Sequence, residues 1–134
     1  MRAVVTFAAG LLLAVGPALA HHSLDAEFDR SKPITVTGTV TKIEWQNPHI
    51  WVYVDAKDAS GKVVKWQFEG GPPNALRRSG WNRDSLKLGD TATFTGLMAR
   101  VDANIGKNTA HAEQVTLPGG KKVFAGNAEE APTK

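Results

Sequence analysis

Between Ile34 and Asp58 the chain reads ITVTGTVTKIEWQNPHIWVYVDAKD, a stretch that few folds can accommodate. Ile34, Val36, Gly38 and Val40 alternate with Thr35, Thr37, Thr39 and Thr41, which is the period of a half-buried strand. Gly38 marks a bend. After Lys42 the apolar parity changes to Ile43 and Trp45, as a β-bulge does when it adds one residue. Beyond Asn47-Pro48 a second strand sets Ile50, Val52 and Val54 on one face, and His49, Trp51, Tyr53 and Asp55 on the other. A solvated strand face would carry Thr, Lys and Glu, so the aromatic and imidazole groups point to a covered or ligand-binding surface.

Turn chemistry orders the rest of the chain. Ser60-Gly61 reverses direction into a third strand, Lys62 to Glu69, with Val64, Trp66 and Phe68 facing inward. The breaker cluster from Glu69 to Asn74 contains two glycines and two prolines; the prolines preset the first turn of a short helix over Ala75 to Ser79, which Gly80 stops. A fourth strand follows from Thr91 to Met98, a fifth from Ala110 to Leu117, and a short sixth segment from Lys121 to Ala125. Three strands, a helix, then two strands is the order of the OB barrel. The expected fold is therefore all-β, a five- to six-stranded OB-like barrel with a short helix between strands 3 and 4. Its interior is expected to hold Ile34, Val36, Val40, Val52, Val54, Trp66, Phe68 and Phe94.

The first twenty residues read as a secretory signal peptide: Arg2, an apolar run from Val4 to Val15, and a small-x-small site at Ala18-Leu19-Ala20. Cleavage after Ala20 would place the protein in the periplasm or outside the cell, with no membrane span remaining. The expected organisation is a signal peptide over residues 1–20, an arm over 21–33 in which Leu24 and Phe28 form one short helical turn or strap and Pro33 ends it, a barrel over 34–125 and a disordered tail over 126–134. Losing Arg2 lowers the formal charge from +3 to +2, which argues against the dense basic stripe of a nucleic-acid binder. With no cysteine among the 134 residues, neither a disulfide nor an acylated cysteine is available, so a packed core must supply stability. About 110 residues suffice for one core.

The segments HHS, TGTVTKIEWQNPHIWVYVD, WQFEGGPPN, SGW and LKLGD resemble a family of small exported bacterial proteins of unknown function. The resemblance runs from His21 to about Leu117. It implies an exported OB-like barrel, with His22, His49, Glu69, Asn74 and Trp81 in the recurrent motifs, and it supplies no established catalytic residue.

Cleavage after Ala20 would leave His21 with a free α-amine, and an amine and imidazole on one residue form a compact chelate. The amine titrates at roughly 7.7 to 8.0 and imidazole near 6.5, so a metal displaces both protons at modest cost. A further imidazole gives a T-shaped nitrogen set resembling the histidine brace of copper proteins, and Cu(II) suits such a tetragonal site. The candidate metal set is His21, His22 and His49, with His111 a further imidazole and Asp25 and Glu27 nearby carboxylates. Trp51 and Tyr53 are candidate stacking residues for a sugar or small molecule, or for docking on an envelope protein. Trp66 and Trp81 read as packing residues. Glu69 is either a buried acid bonded to the glycine turn or a site acid, and Asn74 is grouped with it as a candidate ligand-binding residue. Arg77, Arg78, Arg83 and Lys87 form either an anion site or a solvated face. There is no cysteine nucleophile, nucleophile-elbow serine or phosphate-binding glycine loop, so the expectation is a non-enzymatic module that binds a small ligand or a metal ion such as copper.

Overall fold

The alternating stretch forms one long strand, β1 (Phe28–Glu44), which is shared between two neighbours. Its first part pairs antiparallel with β4 (Thr91–Ala99), and its last part, from Thr39 onward, pairs with β2 (Trp51–Lys57). A strand can serve both only if it bends sharply, and Gly38 lies at the change of partner. A Cβ there would sit 2.5 Å from the Asp55 carbonyl oxygen and from Val54. The expected bulge is present: the register slips between Val40 and Lys42, and Ile43 then pairs with Val52. The computed structural model describes residues 24–126, so the expected signal segment, His21, His22 and the tail from 127 lie outside the described residues.

Strand β3 (Val63–Glu69) follows β2 through a turn organised by Asp58, whose Oδ1 accepts hydrogen bonds from the Ser60 amide and hydroxyl and the Lys62 amide. Helix α1 (Pro73–Arg78) comes next, between β3 and β4 as expected, and Gly80 closes it with φ of 95°. The remaining strands are β5 (Thr109–Thr116) and β6 (Lys122–Phe124). The order β3-β2-β1-β4-β5-β6 closes on itself because β3 also pairs, in parallel, with β5. That closure with a helix between β3 and β4 is the OB-like barrel.

The interior is built from the inward parity of each strand. Phe68 and Phe94 stack with ring centroids 4.5 Å apart, Leu76 of α1 is fully buried, and Val36, Val40, Val52 and Val54 surround them. Ile34 and Trp66, also expected inside, are half-buried and pack against this core. Trp81 is buried, and its indole N–H donates to the Phe124 carbonyl at 2.7 Å, as a packed tryptophan requires.

The arm departs from expectation. Residues 24–27 are helical, but Pro33 does not end the segment: β1 begins at Phe28, with a register irregularity between Phe28 and Pro33. Proline removes one ladder donor, yet the strand tolerates it because Phe28 and Leu24 are anchored in a second cluster with Leu97.

Candidate functional site

The outward parity of the strands generates a belt around one side of the barrel. Across successive strands Glu44 pairs with Trp51, Trp51 with Glu69, Glu69 with His111, and His111 with Leu97. The next row begins with Lys42, Tyr53, Gln67 and Thr109. This is the face of strands 2 and 3, flanked by the β1–β2 and β4–β5 loops, on which OB folds take ligands.

Glu69 is the centre of the belt. Its side chain is 7% exposed, and its carboxylate Oε1 lies 3.0 Å from His49 Nδ1, while the His49 side chain is 31% exposed. A buried carboxylate needs such a partner. A carboxylate this close to one ring nitrogen is the arrangement by which carboxylates orient metal-ligating histidines. The glycine turn that sequence reasoning offered as Glu69's partner is engaged elsewhere: Gly70 N–H donates to the Ile50 carbonyl and Gly71 N–H to that of Ala125.

His111 is fully buried beside Glu69, and the Phe28 ring lies against its imidazole, with centroids 5.3 Å apart. The approach of β4 to this point is very close, since a Cβ on Gly96 would lie 1.7 Å from the His111 carbonyl oxygen. Phe28, Leu24 and Leu97 thus cap the far end of the belt. Arg100 holds the arm in place: its amide donates to the Glu27 carbonyl and its Nε to that of Asp25, each at 2.7 Å. Nothing in the sequence singled out Arg100, because its partners are backbone atoms.

Trp51 is half-buried between Glu44 and Glu69. Tyr53 belongs to a separate network: its hydroxyl donates to Glu44 Oε2 at 3.1 Å, and Lys42 Nζ lies 4.9 Å from its ring centroid and also pairs with Glu44. The bond from Lys42 holds the Glu44 carboxyl below its ordinary range; burial, followed by the Glu44 bond, pushes the Tyr53 phenol up. Glu44 was missed, although the parity change after Lys42 would have placed it beside Trp51. Asn74 is exposed on α1, its carboxamide oxygen accepting a 3.4 Å bond from Arg77. Arg77, Arg78, Arg83 and Lys87 are all exposed.

Among the described residues no three potential ligands cluster tightly enough to hold a metal, and His21 and His22 lie outside them. No described helix is long and apolar enough to cross a membrane. Comparison with curated proteins gave no match. A family model does match, over residues 9–108, and the chain accordingly belongs to a family of unknown function, DUF6152.

Proposed function

We propose that this protein is an exported, non-catalytic binding module that takes a copper ion on His21, His22 and His49. The observation that carries the reading is the pairing of His49 with buried Glu69, on a belt whose far end is capped by the docked arm. The carboxylate orients the imidazole, while docking of Leu24 and Phe28 removes much of the entropy that closing a loose arm would cost. His21 is three residues from Leu24, so chain geometry keeps it within roughly 10 Å of that anchor. The Glu69 carboxylate beside His49 suits a cation, whereas Glu44 and Asp55 on the same face are offset by Lys42 and Lys65. A sugar stacked on Trp51 and Tyr53 has less support, because Lys42 covers one side of the Tyr53 ring.

The test is calorimetric titration of Cu(II) and Zn(II) into protein whose terminus is His21, verified by intact mass. Cu(II) should bind at one site and in preference to Zn(II). His49→Ala should lower Cu(II) affinity at least tenfold, and an added Met before His21 should do the same by removing the chelating amine. Equal affinity in all three proteins would refute the site.

A further inference from the structure

Strands β1 and β2 separate before either one ends. Their ladder stops at Thr39 and Asp55, although β1 stays paired with β4 back to Pro33 and β2 with β3 as far as Lys57. The wedge between them encloses about 350 Å³, and Val36, Ala56, Val64 and Trp66 are among its walls. Trp66 is half-buried there, its ring stacked on Phe68 with centroids 6.0 Å apart. Neighbouring bonds fix which way the peptide groups point. Val40 donates its N–H to the Asp90 carbonyl and accepts from the Gly89 amide, so its peptide groups face the β4 side. Peptide groups alternate along a strand, and the register of β1 with β4 is unbroken from Pro33 to Thr39, so those of Thr35 and Thr37 face the wedge. On the opposite wall Asp58 donates to the Lys62 carbonyl and accepts from the Gly61 amide, which turns the peptide groups of Lys57 toward the wedge. None of these three residues has a ladder partner on that side among the described residues.

A row of unpaired N–H and C=O groups is a template for a further strand. That specifies the backbone of the occupant, and the walls specify its side chains. The inner face of an inserted strand would meet Val36 and Ala56 above Val64 and Trp66, which suits apolar residues. The outer face would lie beside Lys57, which is exposed and enters no ion pair among the described residues, so its complement is an acidic side chain. We infer that the wedge accepts an extended polypeptide segment of alternating apolar and acidic residues, added as a strand on the free edge of β1. This inference is independent of the copper reading, which uses the Trp51 end of β2 rather than the Lys57 end.

The experiment follows isotope-labelled protein by NMR, alone and with capped synthetic peptides in which valine alternates with glutamate or with lysine. In the free protein the amides of Thr35 and Thr37 should exchange at least about tenfold faster than those of Val36 and Gly38, which face β4. The valine-glutamate peptide should bind saturably at about 1 mM or tighter, shift the amides of Thr35, Thr37 and Lys57, and slow exchange at the first two. The valine-lysine peptide should bind about fivefold more weakly, and Lys57→Glu, a change of an exposed side chain, should reverse that order. A valine-glutamate peptide N-methylated at every amide keeps the side chains, cannot pair with an edge, and should not bind. Slow exchange at Thr35 and Thr37 in the free protein would show that the two strands close on each other, and would overturn the inference. So would equal binding of the N-methylated peptide, an order of peptides unaffected by Lys57→Glu, or no saturable shift with the valine-glutamate peptide up to about 10 mM.

Discussion

Replacing Phe28 with alanine separates the arm's contribution from that of the barrel. The ring is 1% exposed and lies against His111, in a cluster whose other buried members are Leu24 and Leu97. Truncating a fully buried phenylalanine in a closed core costs about 3–5 kcal/mol. This cluster, however, is a satellite on the outside of the barrel, and the chain before Ile34 can lift away while β1 keeps its pairing with β4 from Ile34 onward. Global stability should therefore fall by less than the core value, with the loss appearing as local opening. Removing the ring's transfer free energy alone, about 2–3 kcal/mol, should shift that opening equilibrium toward the open form by a factor of between about 30 and 150. The reporter is the Arg100 amide, which donates to the Glu27 carbonyl only while the arm is docked. Hydrogen exchange should show Arg100 losing protection by that factor while amides of β2 and β3 keep theirs. On the proposed copper site, Cu(II) affinity should fall in the same variant, because the chain leading to the ligands is then no longer anchored through Leu24 and Phe28. Unchanged Arg100 protection, or arm release with Cu(II) affinity intact, would refute the argument that arm docking assembles the site.

Three further outcomes are expected. Gly96→Ala drives a Cβ into the His111 carbonyl and should destabilise the fold by about 3 kcal/mol or more, read from the urea midpoint; a shift below about 1 kcal/mol would mean that β5 can move aside. Trp81→Phe leaves the Phe124 carbonyl without its donor and should cost about 1–3 kcal/mol, whereas an unchanged melting temperature would show that water replaces the bond. The Ser60 hydroxyl, followed by the backbone amides of the turn, holds the Asp58 carboxyl below 3.8; its folded value is depressed, so its contribution is present above that pH and is lost as the pH falls through the folded value. Asp58→Ala should accordingly be less stable than the parent at pH 7, the difference closing only as the pH falls through the depressed folded value of the carboxyl, and a difference independent of pH would exclude the carboxylate as the cause.

The period of the side chains and the chemistry of the turns are properties of short stretches, which is why the barrel could be read from the sequence. Alternation in β1 and β2, a bulge near Lys42, the reversal at Ser60-Gly61, and the proline start and Gly80 stop of α1 all follow from residues a few positions apart. His49 and Glu69 were likewise recognisable as candidates by their unusual places on patterned strands. Their close approach was not, and neither were the burial of His111 beneath Phe28 and the diversion of Tyr53 to Glu44. Those depend on closure. The parallel pairing of β3 with β5 joins strands with no shared turn, so no local pattern announces it, yet it alone sets Glu69 beside His111. The sequence by itself determined which faces point in and out; tertiary structure decided which outward residues meet, because side-chain neighbours across a barrel are set by strand register and closure, and these are settled only when the whole core packs.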